Sequence, residues 1–347
     1  MEYYCIEHSI FKTEPLKTEE VKYRRLGKTN LNVSEISLGT WQVGGGWGKA
    51  FNEKTASAII ETALGLGVNF LDTADVYDGQ LSERKVGKYV KAKRDQLYIA
   101  TKIGRRINPH IAEGYTAEII EKYIDEALIN TGLGYLDLVQ LHCPPSAVYH
   151  KDEIFKKLEE IKARGKVRHF GVSVEKIDEA IKATDYDVIE TVQIIFNMFR
   201  QRPIDDCFEI LKSRDIGIIV RVPLASGLLS GKMTSVRKFD KDDHRNFNKN
   251  GEIFDKGETF SGVPLDDGFK AVEDIKMLFQ TEELFRAALK WILMFKEVST
   301  VIPGASKPDQ VISNIDSIKW PELSDLEMKS VKEIYDSHIS KHVHQSW

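Results

Sequence analysis

Short apolar runs recur along this chain about every 30 residues, each ending near a Gly, Asp, His, Ser or Pro, with an amphipathic stretch after almost every one. Eight are predicted strands: Ile36–Gly39, Val68–Asp72, Leu97–Lys102, Leu136–His142, Val167–Ser173, Val188–Ile195, Gly217–Val222 and Thr300–Pro303. Several are nearly continuous in aliphatic residues, as strands buried on both faces require. Among the intervening stretches, Thr116–Thr131 sets Ile120, Tyr123, Ile124, Ala127 and Leu128 on one face and Glu121, Lys122 and Asp125 on the other. Eight βα units with right-handed crossovers predict an α/β chain folded as one (β/α)8 TIM barrel, rather than a doubly wound sheet. The chain contains no Gly-x-Gly-x-x-Gly fingerprint, in keeping with that choice.

Composition narrows the partners. The 347 residues are 42% hydrophobic and 29% charged, enough to bury a core and too apolar for a disordered chain. Lys and Arg number 49 against 53 Asp and Glu, a net charge of −4 without a basic stripe, so neither nucleic acid nor a membrane surface is an expected partner. The three cysteines, Cys5, Cys143 and Cys207, have no CxxC spacing, which argues against a disulfide framework or a zinc ribbon. No apolar run approaches the ~18 residues of a membrane span, and the start has charges where a signal peptide needs an apolar stretch, so a cytoplasmic protein is expected.

Three segments depart from the βα rhythm. Residues 1–22 read as an N-terminal extension before a barrel over 23–335, and 336–347 as a C-terminal tail ending in Trp347. The third, within the barrel, is the polar loop 231–267, which follows the seventh strand and should overhang the face where barrel active sites are built, as a lid.

In a barrel, polar side chains at the C-terminal strand ends converge on one pocket. Asp72 ends the second strand with Tyr77 in the following loop, Lys102 ends the third and His142 the fourth. A phenol becomes a useful acid or base near neutrality only where a cation stabilises its phenolate. Lys102 is the candidate cation, Asp72 the group that holds it charged, and His142 the donor that orients a substrate carbonyl beside Tyr77. A metal site is not expected, because His142 has no second His at ligand spacing and Cys143 should point to the other side of an extended chain.

The stretch GLGVNFLDTADVYDGQLSERKVGK, with TKIG, VQLHCPP and IPGASKPDQVISN, closely resembles the aldo-keto reductases, and the likeness runs from about Tyr23 to Tyr335. The opening YRRLGKTNLNVSEISLGTW is similar to the start of that family's barrel. The resemblance implies a nicotinamide dinucleotide bound in extended form and reduction of carbonyls by direct hydride transfer. Asp72, Tyr77, Lys102 and His142 then fill the family's tetrad, with Tyr77 as general acid in reduction and general base in oxidation.

It also implies the cofactor contacts. Ser173 and Gln193 match positions that hydrogen-bond the carboxamide. Arg221 stands where the family often places an aromatic against the nicotinamide, and Val174 where it often has Asn. A guanidinium can lie flat on a ring, yet it is unwelcome beside an oxidised, positively charged one, so weaker binding of the oxidised cofactor is expected. Leu224, Ser226, Gly227, Leu228 and Lys232 match the loop that closes over the pyrophosphate. Gly304, Ser306 and Lys307, before a predicted helix, resemble the 2′-phosphate site, and Asn314 the adenine contact.

Gln310 replaces an arginine found in many members. Losing that charge-assisted hydrogen bond, worth roughly 1.5–3 kcal/mol, would lower the preference for NADPH by about one to two powers of ten. NADP(H) is thus the expected cofactor, with NAD(H) the alternative. Trp41 and Trp47, the lid and Trp347 would line a pocket for a small-molecule carbonyl substrate. Two other readings compete: a nicotinamide-binding regulatory subunit resembling potassium-channel β subunits, and a barrel hydrolase or isomerase working without redox chemistry.

Overall fold

The computed structural model describes residues 21–45, 50–234, 236 and 238–347. Most of the N-terminal extension, and Trp47 of the expected substrate wall, lie outside the described residues.

An antiparallel hairpin, β1 (Tyr23–Arg25) and β2 (Asn32–Ser34), comes first. Eight parallel strands follow: β3 (Leu38–Gly39), β4 (Phe70–Asp72), β5 (Tyr98–Ile103), β6 (Leu136–His142), β7 (Val167–Ser173), β8 (Ile189–Ile195), β9 (Gly217–Arg221) and β10 (Val298–Val301). They pair in chain order from β3 to β10. Parallel bridges from Ile36 to Val301 and from Gly39 to Gly304 join the first strand to the last and close the barrel. All eight predicted strands are present, within about two residues at most ends.

Period-two alternation divides the apolar residues into two cores. Phe70, Ala100, Leu138 and Ile219 fill the barrel, capped by Leu26, Leu31 and Val33 of the hairpin. The larger core lies between the strands and the surrounding helices. Arg24 ties the hairpin down by donating to the carbonyls of Leu293 (2.7 Å) and Val298 (2.9 Å) and pairing with Glu35 (3.0 Å). At Gly27, with φ +50°, a Cβ would come 2.1 Å from the Gly217 nitrogen, so the turn approaches β9 closely enough to require glycine.

The long loop is ordered around a short helix at His244–Phe247 and tight turns at 256–258 and 260–262. It overhangs the C-terminal ends of the strands. The tail is helical too: Tyr335, Ile339 and Val343, spaced four apart, are fully buried and form one apolar stripe. Among the described residues, no helix is long and apolar enough to cross a membrane.

Candidate active site

Strand register assembles the site. His142, Ser173 and Gln193 are direct neighbours across β6, β7 and β8, and Lys102 pairs with Gln140 across β5 and β6. Lys102, 1% exposed, forms an ion pair with Asp72 and donates to the Thr73 carbonyl (3.0 Å) and to Tyr77 Oη (3.2 Å). The second Asp72 oxygen accepts from Gln193 Nε2 (2.8 Å) and Gln140 Nε2 (3.2 Å). The His142 ring stands edge-on to Tyr77, with centroids 6.1 Å apart. The structure thus brings the four sequence-predicted residues to one place.

Their electrostatics follow from burial. Burial lowers the His142 pKa well below its usual value, with Arg105 and Lys102 adding repulsion, so the imidazole is neutral. Among the described residues, its buried Nδ1 has no hydrogen-bond partner. Burial would disfavour the Lys102 ammonium, but Asp72 and Tyr77 outweigh it and the pKa rises. For Tyr77, burial outweighs the downward pull of Lys102, so the phenol is held protonated more firmly than in water. The cation expected to make Tyr77 easier to ionise offsets burial only in part.

A continuous cavity of about 570 Å3 runs from this centre past Arg221, Leu224, Ser226 and Lys232 to Gly304, Ser306 and Gln310. Asp72, Tyr77, His142, Gln193, Trp41 and Gly227 also line it. Ser173 is fully buried, its hydroxyl 3.6 Å from Cys143 Sγ, and Leu228 is buried beneath the loop against Gly268. Lys307 caps the helix Pro308–Asp316, and the buried Asn314 reaches the Gly304 carbonyl at 3.5 Å. Over that helix start, Gln310 Oε1 accepts from the Ser306 amide (2.7 Å) and hydroxyl (3.1 Å), donors assigned from sequence to a phosphate.

One expectation is corrected. Cys143 does not point away from the site, because its backbone is left-handed (φ +47°) rather than extended. Its sulfur lies 3.5 Å from Arg221 Nη2, within a group the sequence reading did not find: Arg105, Glu175 and Glu258. Arg105 Nη2 donates to Glu175 (2.8 Å) and Glu258 (2.5 Å), and Arg221 donates to the Val174 carbonyl (2.8 Å) and lies 3.6 Å from Glu258. Ligand atoms of Cys143, Glu175 and Glu258 lie within 4.8 Å of one another. Both carboxyl groups already face guanidinium groups, so the arrangement is a network of arginines and acids, not a cage for a cation. Glu258 comes from the long loop, where no periodic pattern marks it. Gln140 had a signal: it lies two residues before His142 on the same strand face.

Behind Tyr77, the buried Asp75 carboxyl lies 3.9 Å from Arg106. Burial and the charge of Glu83 push its pKa up to about 7. Folding therefore favours its protonated form; that stability is present below the usual carboxyl pKa near 4 and lost as pH rises to about 7. Asp75→Asn should flatten this decline, raising Tm at pH 8 relative to pH 4. An unchanged pH dependence of Tm would contradict it.

Comparison with known proteins places this geometry. The description "Aldo/keto reductase family" matches residues 35–336. The chain is 30% identical to "Uncharacterized oxidoreductase YqkF" of Bacillus subtilis, over 92% of this chain and all of that one. It is 26% identical to "Putative voltage-gated potassium channel subunit beta" of Schizosaccharomyces pombe, over 93% and 95% of the two chains. Its fold superposes on aldo-keto reductase AKR11C1 from Bacillus halodurans, holo form, with TM-score 0.74 and 25% identity, covering 94% of this chain and all of the other. With a closed (β/α)8 barrel, an Asp–Lys–Tyr–His centre at its C-terminal mouth and a family match over most of its length, this chain belongs to the aldo/keto reductase family.

Proposed function

We propose that this chain reduces small aldehydes or ketones to alcohols with NADP(H), Tyr77 supplying the proton. The observation that carries this is Tyr77 Oη held 3.2 Å from a buried Lys102, itself paired with Asp72, in a cavity of about 570 Å3 whose lining also takes in Lys232, Ser306 and Gln310. The residues fit a nicotinamide dinucleotide. Among the described residues, two buried nitrogens without a hydrogen-bond partner, His142 Nδ1 and Arg221 Nε, stand at the reactive end, and Lys232 and a helix start supply anion donors further along.

The bound cofactor supplies the hydride to the carbonyl carbon. Tyr77 gives its phenolic proton to the carbonyl oxygen as that oxygen gains charge, and Lys102 stabilises the phenolate left behind. Asp72, with Gln140 and Gln193 on its other oxygen, keeps Lys102 charged and fixed in place. Neutral His142 donates one N–H to the substrate oxygen. Trp41, packed on His244 of the long loop (ring centroids 4.8 Å), forms an aromatic wall beside the substrate carbonyl.

Nicotinamide absorbance over time, with NADPH and NADH in parallel and a panel of activated aldehydes, glyoxals and aldoses, tests this reading. Oxidation faster with NADPH supports it. The likeness to a named potassium-channel β subunit favours a second reading, a nicotinamide-binding regulatory subunit, for which tight cofactor retention with very slow turnover is expected. No nicotinamide binding would sink both.

Gln310 sets how firmly NADPH is preferred. Its side-chain oxygen occupies the Ser306 donors, so a 2′-phosphate must displace it and finds no cation at position 310. Gln310→Arg should raise the NADPH-to-NADH ratio of kcat/KM by about one to two powers of ten, the worth of a charge-assisted bond. An unchanged ratio would remove Gln310 from the cofactor site.

A further inference from the structure

We infer that Glu258 is the counter-charge that allows Arg221 to stand beside the nicotinamide, and that Trp347 is a positioning residue holding Glu258 there, so that together they set how tightly the oxidised cofactor is bound relative to the reduced one. This rests on the reading above that the cavity takes a nicotinamide dinucleotide with Arg221 at its ring.

Arg221 is buried at the mouth of the barrel and Arg105 half-buried beside it. Arg105 and Arg221 both reach Glu258, at 2.5 and 3.6 Å, and Glu258 lines the cavity with Tyr77 and His142. Burial would raise the Glu258 pKa, but the two guanidinium groups prevail and keep the carboxylate ionised. Burial and the charge of Glu258 push neighbouring Glu175 up to about 8, so at neutral pH it is mostly protonated. The thiol of Cys143 is raised by burial and stays neutral. Glu258 is thus the carboxylate that both guanidinium groups reach, whereas Glu175 reaches Arg105 alone.

Ring charge then decides which cofactor form feels Glu258. A reduced nicotinamide is neutral and an oxidised one carries a positive charge. A carboxylate in a low-dielectric site favours the oxidised form and is nearly indifferent to the reduced one. Arg221 in place of an aromatic would otherwise penalise the oxidised form.

Glu258 owes its place to contacts on the outside of the loop. Its backbone carbonyl accepts from Ser226 Oγ (3.1 Å), and its amide donates to the Asp255 carbonyl (3.0 Å). Asp255 Oδ1 in turn accepts from Trp347 Nε1 and the Gly257 amide, both at 2.6 Å. The indole lies on the Arg200 guanidinium, 3.9 Å from its ring, and Arg200 donates to the Ser261 carbonyl (3.1 Å). Gly257 and Gly262 flank the same ring so closely that a Cβ would come within 2.9 and 2.6 Å of it. Trp347 is thus wedged between the barrel and the turn that presents Glu258.

Calorimetric titration of NADP+ and NADPH against wild type, Glu258→Gln, Trp347→Ala, Trp347→Phe and the Glu258→Gln/Trp347→Ala double variant tests the inference. Glu258→Gln should weaken NADP+ by at least about tenfold and NADPH by less than about threefold. Trp347→Ala should move the ratio the same way, Trp347→Phe, which keeps a ring on Arg200 but not the bond to Asp255, should restore part of it, and the double variant should match Glu258→Gln. Should Glu258→Gln not fold, Trp347→Ala must still show the selective loss of NADP+. Equal weakening of both nucleotides in either single variant would overturn the inference, as would additive effects in the double variant. A wild-type protein that bound neither nucleotide would instead overturn the underlying reading, and the inference with it.

Discussion

Tyr77→Phe should lower kcat for carbonyl reduction by about 10²–10⁴-fold, the range of a positioned general acid, while leaving the affinity for NADPH within about twofold. The hydroxyl is the group placed to release a proton at the reactive end of the cavity, and it accepts one of three hydrogen bonds made by Lys102. Removing it leaves the ammonium on Asp72 and the Thr73 carbonyl, so the buried charge keeps its partners and the fold should survive. Steady-state rates with an activated aldehyde, and a binding titration with NADPH, separate the two effects. Retention of more than a tenth of the wild-type rate would show that the proton comes from elsewhere.

The same phenol predicts the pH behaviour. Burial holds the Tyr77 pKa above its usual value, so the acid form persists across the neutral range. Reduction, which consumes that proton, should be level near neutrality and fall only in alkali. Oxidation, which needs the phenolate, should rise over the same alkaline range. In Tyr77→Phe both slopes should vanish.

Why Tyr77 could be found without a structure, and Glu258 could not, is a matter of where each lies. Asp72, Lys102 and His142 end strands whose apolar runs locate them, and strand ends in a barrel face one pocket. The eight-unit rhythm likewise makes the barrel legible, since each βα unit repeats the same burial pattern. Glu258 belongs to a loop without periodicity, and its neighbours Arg105, Arg221 and Trp347 lie 153, 37 and 89 residues away along the chain. Only tertiary packing unites them. Cys143 was misplaced for a local reason: the left-handed backbone that turns its sulfur toward Arg221 occurs in a non-glycine residue that sequence treats as extended. The tail held a readable signal, because Tyr335, Ile339 and Val343 form a helical stripe within a run of polar residues.

Lys102→Met is expected to lose both activity and stability, and a second substitution can separate them. In the wild type, Lys102 and Asp72 are each almost fully buried and answer each other's charge. Methionine leaves the Asp72 carboxylate with the amides of Gln140 and Gln193 but no cation, and stranding a buried charge in this way costs about 3–5 kcal/mol. Tyr77 loses the cation that opposes burial, so its proton is held still more tightly and the phenolate left by proton transfer has no stabiliser. Chemical denaturation should therefore show the loss of stability, and the alkaline limb of the oxidation profile should move to higher pH. Adding Asp72→Asn removes the stranded charge. The double variant should recover most of the stability and none of the rate, because a neutral pair can pack but cannot stabilise a phenolate. Recovery of the rate along with the stability would mean that Lys102 serves the fold alone.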